Sequence, residues 1–314
     1  MNILQKLISD ASVIAIAGHI RPDGDCIGAC MGLYEYITCN YPDKTVVVLI
    51  DEVPECFHYL AKKEAYQKKS KRYDLLIALD CGDEERLGDI AQIMKEAKHS
   101  LNIDHHLQNT KYADDNYIIE GASSTCEVLF QLMDEDKIDK NTAAALYTGI
   151  IHDTGVFRHC NTSKKTMDIA GKLIDKGIPF TRIIDESFFM KSFVQLQIMG
   201  RCLLESVRIM DKRCIFTVVT MRVMKFYGIR NTDLDGIVEQ LRTTEGIEVA
   251  ILLTEREPGK FGVSMRSNHQ VDVSKICRYF GGGGHKKAAG CEIYGSPYDV
   301  INNLTEHIEV QLEG

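Results

Sequence analysis

The chain has 314 residues, of which 45% are hydrophobic and 26% charged, as in a soluble globular protein of about two domains. Its formal net charge of −8 argues against binding long duplex nucleic acid, which depends on many contacts from Lys and Arg to phosphates. No apolar stretch approaches the roughly 20 residues that span a bilayer, and residues 1–10 predict an amphipathic helix rather than a signal peptide.

Apolar runs in the first half of the chain predict strands that are buried on both faces. They lie at residues 12–17, 45–50, 74–79 and 100–103. Continuous rather than alternating apolarity is typical of a parallel sheet flanked by helices. Helical spacing follows at residues 29–38, 125–133, 142–152 and 165–176, the third with Asn141 as its predicted N-cap. We therefore predict an α/β fold with a mostly parallel, doubly wound sheet.

The second part of the chain has a different pattern. Residues 185–204 predict one or two helices that connect two domains. Predicted strands at 215–219, 247–253 and 261–266 then alternate with predicted helices at 234–243 and 273–280. The expected organisation is a first domain at 1–188, a helical linker at 189–205, and a smaller α/β domain at 206–314.

The eleven cysteines are odd in number and scattered, without a Cys-x-x-Cys pair. This usage disfavours a zinc ribbon and a secreted disulfide scaffold, so we expect a cytoplasmic protein with reduced thiols. Cys26 and Cys81 lie beside acidic residues, and we interpret them as small core residues rather than redox sensors.

Four short clusters of Asp, His and Gly carry the chemistry of the first domain. They lie at residues 18–25, 79–81, 104–106 and 152–155. The first three each close a predicted buried strand, and ligands in open α/β sheets bind outside the carboxyl ends of strands. Carboxylates crowded at one edge cannot all stay ionised without a cation. The sequence therefore predicts a polynuclear metal centre.

A set of ligands that mixes carboxylate oxygens with imidazole nitrogens favours Mn²⁺. The same set is less specific for Mg²⁺ or another divalent ion. Asp80 ends its strand alone, where it can bridge two ions, while His105 and Asp153 can complete the shell of the second. Two ions roughly 3.5–4 Å apart stabilise both the attacking and the leaving oxygens in phosphoryl transfer. A water held between them would lose a proton near neutral pH.

With these clusters in this order, the chain resembles the DHH phosphoesterase superfamily, named for the triplet present here as Asp104, His105 and His106. The ligands that the resemblance implies are His19 and Asp23 for the first ion, Asp25, His105 and Asp153 for the second, and Asp80 shared between them. It also implies that Asp104 orients the neighbouring imidazoles, and that His106 faces the phosphate to stabilise charge or protonate the leaving oxygen.

His152 departs from the family pattern, and we interpret it as a structural helix residue.

A glycine-rich segment at residues 281–290 is the specific feature of the second domain. Glycines let backbone N–H groups approach an anion without a Cβ in the way. Gly283, Gly284 and His285 resemble the Gly-Gly-Gly-His segment of the DHH-associated C-terminal domain, and Arg266 with Ser267 matches its Arg-Ser element. The resemblance implies that these residues contact a substrate phosphate or terminal nucleotide.

Arg158 follows the fourth acidic cluster closely. A guanidinium there could clamp a substrate phosphate with two hydrogen bonds, and a structural ion pair is the competing interpretation. The sequence leaves both open.

The most similar group within the superfamily is the two-domain nanoRNase type. It implies hydrolysis of very short single-stranded RNA (about two to five nucleotides) to 5′-mononucleotides, and removal of the 3′-phosphate from 3′-phosphoadenosine 5′-phosphate (pAp). The alternatives are a phosphodiesterase for linear dinucleotides such as pApA and pGpG, an exopolyphosphatase, and an inactive nucleotide-binding scaffold. The last is disfavoured because all six implied ligands are intact. Whether the protein is a monomer or a homodimer stays open.

Overall fold

The computed structural model describes residues 2–66 and 72–313. The chain forms two compact units, Met1–Met190 and Lys191–Gly314, each with its own sheet. None of the described helices combines the length and apolarity that crossing a bilayer requires.

The first unit alternates strands and helices over most of its length. Its main elements are α1 (Ile3–Asp10), β1 (Val13–Ala17), α2 (Gly24–Asn40), β2 (Thr45–Leu49), β3 (Leu75–Leu79), α3 (Ile90–Glu96), β4 (Ser100–Asp104), β5 (Asp115–Ile118), α4 (Thr125–Leu132), α5 (Lys140–Asp153), α6 (Lys164–Asp175) and α7 (Phe180–Ile184). A π-helical turn, Asp185–Phe189, follows α7 directly.

The strands form a five-stranded sheet in the order β2-β1-β3-β4-β5, and every neighbouring pair is parallel. Both faces are covered, one by a core that includes α2, α4 and α5 and the other by a smaller core with Leu87 and Met94. The predicted α/β fold with a mostly parallel sheet is confirmed. Strand β5 was not predicted, because its residues are half-buried and polar rather than continuously apolar.

Two helix boundaries were wrong in the sequence analysis. Helix α2 begins at Gly24 rather than at residue 29, and Asp23 is its N-cap, accepting hydrogen bonds from the N–H groups of Asp25 and Cys26. The N-cap of α5 is Asp139 rather than Asn141. In both cases an Asp side chain satisfies N–H groups of the first turn, which lack partners within the helix.

Asp74, just before β3, joins the amino ends of two strands. Its carboxylate accepts hydrogen bonds from the N–H groups of Ser12 (3.0 Å) and Val13 (2.9 Å) and pairs with Lys98 at 2.6 Å. The Lys98 ammonium and these two N–H groups lower the pKa of Asp74 to about 2.

We expect Asp74→Asn to lower the free energy of unfolding at pH 7 by about 1 kcal/mol, since Lys98 is largely exposed and the pair is screened. Because the folded-state pKa of Asp74 is depressed, its contribution is complete above about pH 4 and lost as the pH falls through about 2. Urea unfolding of both proteins at pH 7, 5 and 3 checks this. A difference in stability that is unchanged or larger at pH 3 would contradict it.

The second unit is built on a mixed sheet. Its main elements are α8 (Phe193–Leu204), β6 (Val207–Ile209), β7 (Cys214–Val219), α9 (Met221–Tyr227), α10 (Ile237–Arg242), β8 (Val249–Glu257), β9 (Lys260–Ser267), α11 (Val273–Tyr279), β10 (Gly283–His285), β11 (Ala288–Tyr294) and α12 (Pro297–Glu313). The strand order is β10-β11-β9-β8-β7-β6, with β7 and β8 parallel and the other pairs antiparallel.

Helices cover the two faces of this sheet unequally. One core, containing Val263 and Met265, includes residues of α11 and α12. The other contains residues of α8 and α10 together with residues of β7 and β8 such as Ile215 and Leu252. Helix α8, part of the segment predicted to connect the domains, thus contributes Ile198 and Cys202 to a core of the second unit.

Candidate functional site

The carboxyl ends of three adjacent parallel strands place the predicted residues at one edge of the first sheet. His19 follows β1, Asp80 follows β3, and His105 follows β4. Asp80 has a left-handed backbone, with φ of +56°. Strained conformations of this kind in a residue other than glycine concentrate at functional sites.

The first group of possible ligands contains His19, Asp23 and Asp80, whose ligand atoms lie within 4.8 Å of one another. His19 Nε2 is 3.7 Å from Asp23 Oδ2 and 3.6 Å from Asp80 Oδ2. His19 Nδ1 lies 2.8 Å from the carbonyl oxygen of Ile20. That carbonyl oxygen accepts a hydrogen bond from the Nδ1–H group, so Nε2 faces the two carboxylates.

The second group contains Asp25, His105 and Asp153. His105 Nε2 is 3.1 Å from Asp153 Oδ2 and 4.0 Å from Asp25 Oδ2. Its Nδ1 lies 3.1 Å from the carbonyl oxygen of Ala122, which fixes this ring in the same way as that of His19. Asp25 lies in the first turn of α2 and Asp153 is the last residue of α5, so two members of this group are supplied by helices rather than by strands.

Asp80 stands between the two groups. Its Oδ2 faces His19, while its Oδ1 lies 3.5 Å from His105 Nε2. The structure therefore brings all six residues predicted as ligands together, in two sets that have one carboxylate in common. The side chains of Asp25 and Asp80 are almost fully buried.

The electrostatics of these residues fit bound cations. Burial, followed by the charges of Asp80 and Asp153, raises the pKa of Asp25 well above its usual value. Burial opposes protonation of His105, but the carboxylates of Asp153, Asp80 and Asp25 outweigh it and raise its pKa to about 12. Protons on buried imidazoles thus offset the crowded carboxylates. Divalent cations bound by the same atoms would take over that role.

The amino terminus of α4 also contributes to the site. Asp25 accepts hydrogen bonds from the N–H groups of Thr125 (2.6 Å) and Cys126 (3.1 Å), and the Thr125 hydroxyl donates to Asp80 Oδ1 at 3.0 Å. These contacts were not predicted from the sequence. The N-cap pattern from Ser124 to Glu127 was the available signal, because it marks the start of a helix.

Asp104 and His106 form a separate pair beside Asp80. His106 Nδ1 donates to Asp104 Oδ1 at 2.7 Å, and Asn109 Nδ2 donates to Asp104 Oδ2 at 2.6 Å. The hydrogen bond from His106 holds the pKa of the buried Asp104 carboxyl below its usual range despite burial, and Asp104 in turn raises the pKa of His106. Asn109 was not predicted, and no pattern in the sequence indicated its role.

Arg158 lies just beyond a left-handed turn that ends α5. Gly155, Val156 and Phe157 have φ values of +56°, +55° and +63°. The backbone N–H of Arg158 donates to the carbonyl oxygen of Thr154, and its side chain is exposed. The structure therefore places this guanidinium near the Asp153 end of α5, on the surface.

In the second unit, cross-strand register puts Arg266 and His285 on one face of the sheet. Arg266 pairs with Ala288, and Ala288 pairs with His285, so all three side chains project to the same side. Gly290 pairs with Gly283 on that side as well. We call this surface the β9–β11 face. Ala288, which lies between Arg266 and His285 in this register, has a small side chain.

Three predicted members of this group have a local structure that the sequence did not indicate. Gly283 and Gly284 belong to a short edge strand. A Cβ at Gly284 would lie 2.5 Å from the carbonyl oxygen of Ala288, so the hairpin requires glycine there. Ser267 is buried on the opposite face from Arg266, and its hydroxyl donates to the carbonyl oxygen of Val271 at 2.7 Å.

Comparison with known protein families finds one match in each of the two units. Residues 13–150 match the DHH family N-terminal domain, and residues 215–314 match the DHHA1 domain. The chain therefore belongs to the DHH family, in the form that carries a C-terminal DHHA1 domain.

The chain is similar over most of its length to curated members of this family. It is 30% identical to a bifunctional oligoribonuclease and PAP phosphatase of Thermus thermophilus, over 91% of this chain and 86% of that protein. It is 26% identical to the protein of the same name from Bacillus subtilis, over 98% and 96%. An exopolyphosphatase-related protein from Bacteroides fragilis has the same fold, with a TM-score of 0.87, 23% identity, and coverage of 98% and 94%.

Proposed function

We propose that this protein is a metal-dependent phosphoesterase that hydrolyses short oligoribonucleotides to 5′-mononucleotides and removes the 3′-phosphate of pAp. The observation that carries the proposal is the Asp80 carboxylate, whose two oxygens face two separate sets of His and Asp ligands. The similarity to oligoribonuclease and PAP phosphatase relatives supports the choice of substrate.

Two divalent ions, Mn²⁺ in preference to Mg²⁺, are the cofactors that these residues fit. His19 and Asp23 would hold one ion, Asp25, His105 and Asp153 the other, with Asp80 shared. When bound, such ions activate water and neutralise charge on a phosphoryl group.

The protein's own residues then have distinct tasks. Asp104 keeps the His106 ring oriented and its Nδ1 protonated, so that Nε2 is available at the phosphate, where His106 stabilises charge or protonates the leaving oxygen.

On the β9–β11 face, Arg266 and His285 bind the anionic end of the substrate. Ser267 holds the end of β9 instead of touching the substrate, because its hydroxyl is already engaged. Arg158 is a further candidate contact to phosphate. We assign catalysis to the first unit and substrate binding to the second.

A substrate panel tests the proposal. Purified protein with Mn²⁺ is assayed on RNAs of two to about twenty nucleotides, pAp, pApA, pGpG and polyphosphate, and the products are separated by chromatography. We expect the highest kcat/KM on dinucleotides and pAp, with a steep fall beyond about five nucleotides. A preference for pGpG or pApA, for polyphosphate, or for long strands would each replace the assignment with the corresponding enzyme.

We expect His285→Ala to raise KM for a dinucleotide several-fold while slowing cleavage of an aryl phosphodiester much less. The reason is that His285 is exposed on the β9–β11 face, where it contacts only a substrate that extends beyond the cleaved ester. Steady-state kinetics on both substrates measure this. Equal effects on the two would show that His285 is not a substrate contact.

A further inference from the structure

We propose that His152 is a positioning residue that holds the turn Asp23–Gly24–Asp25 in the shape required for metal binding. This inference rests on the proposed metal-dependent function. It goes beyond that function by giving a task to a residue that departs from the family pattern and is not among the proposed ligands.

The contact between His152 and the turn is direct. A Cβ added at Gly24 would lie 2.2 Å from Cγ and 2.5 Å from Cβ of His152, so the ring packs against the Gly24 backbone itself. Gly24 sits between two proposed ligands, and the conformation of its backbone determines how the Asp23 and Asp25 side chains diverge. A shift of the imidazole therefore displaces ligands of both groups.

The His152 ring is itself held from several directions. Its Nε2 lies 3.1 Å from Ser187 Oγ, and that hydroxyl donates to the carbonyl oxygen of Ile183 at 2.7 Å. Ser187 therefore accepts a hydrogen bond from the Nε2–H group of His152. Phe57 and Phe188 pack edge-on against the ring, with centroid distances of 4.8 and 5.3 Å. Together these contacts restrict the rotation of the ring.

The partner that fixes the ring belongs to an unusual segment. Ser187 is buried within the π-helical turn Asp185–Phe189, which ends one residue before the boundary of the first unit at Met190. π-Helical turns often occur at functional sites. The hydroxyl of this turn supports His152, and His152 in turn supports the two ligands on either side of Gly24.

Mn²⁺ affinity, measured by isothermal titration calorimetry, tests this inference without relying on turnover. We expect His152→Ala to weaken Mn²⁺ binding by about 10- to 100-fold, as is usual for groups that orient metal ligands. Ser187→Ala leaves the imidazole in place and removes its hydrogen bond to the hydroxyl, together with the bond from that hydroxyl to Ile183, so we expect a loss of about 2- to 10-fold. The matched control is His99→Ala, which removes a histidine paired with Asp115 at the amino end of β4.

Thermal unfolding of the metal-free proteins separates positioning from stability. We expect Ser187→Ala to melt within a few degrees of the wild type while its Mn²⁺ affinity falls. Wild-type affinity in both His152→Ala and Ser187→Ala would overturn the inference, as would an equal loss in His99→Ala. Failure of the wild type itself to bind Mn²⁺ would instead overturn the proposed function.

Discussion

Asp80→Asn is expected to lower kcat/KM by a factor on the order of 10³ or more, and to remove tightly bound Mn²⁺. Asp80 faces both groups of ligands, so loss of its charge weakens two ions at once. Asn has nearly the same shape and tolerates the left-handed backbone at this position, so the fold should be retained. Kinetics with excess Mn²⁺, together with elemental analysis of the dialysed protein, measure both effects.

Asp74→Asn is the matched control, because it makes the same chemical change before β3 rather than after it. It should keep wild-type metal content and activity and lose only a little stability. Thermal unfolding adds a third readout, since Mn²⁺ should raise the melting temperature of the wild type and of Asp74→Asn but not that of Asp80→Asn. Full activity and metal content in Asp80→Asn would disprove the bridging role.

Asp104→Asn is expected to reduce kcat by a factor on the order of 10² while Mn²⁺ affinity changes little. Both oxygens of Asp104 already accept hydrogen bonds, Oδ1 from His106 Nδ1 and from the backbone N–H of His105, and Oδ2 from Asn109. An amide in this place turns one acceptor into a donor that opposes either His106 or Asn109. The imidazole of His106 then loses its orientation and its preferred tautomer, whereas the imidazole of His105 is still held by the carbonyl oxygen of Ala122.

The pH dependence of kcat distinguishes this loss from a general disturbance of the site. Asp104 raises the pKa of His106, so the protonated imidazole persists to higher pH in the wild type than it would alone. In Asp104→Asn the decline of kcat with rising pH should therefore move to lower pH. An unshifted profile, or a loss of Mn²⁺ binding comparable to that of Asp80→Asn, would contradict an orienting role.

The cluster of proposed ligands could be predicted in part from the sequence because three of its members follow apolar strands. Parallel strands end at one edge of a sheet, so His19, Asp80 and His105 had to lie near one another once the strands were recognised. The placement of Arg266 and His285 on one face of the second sheet could not be predicted, because it depends on the register of β9, β11 and β10. Strand β9 was predicted at residues 261–266, whereas β10 was not, because the glycine-rich segment carries no apolar strand pattern.

Other features depend on tertiary contacts that leave no local signal. Asn109 looks like an ordinary turn residue, and only the fold shows that it holds Asp104. The early start of α2 was missed because Gly24 is a poor helix former, yet at this position a larger residue would collide with His152. Polar β5 was missed because the signal used for strands was continuous apolarity.

The position of Asp153 at the end of α5 has a consequence for biosynthesis. The ribosome delivers the other five proposed ligands, together with all five strands of the first sheet, before it delivers this one. A nascent chain that has not yet emerged past α5 would thus hold a cluster of carboxylates with an incomplete coordination sphere. We therefore expect the sheet to fold first and the second ion to bind late. This ion would then stabilise a sheet that has already folded rather than nucleate its folding.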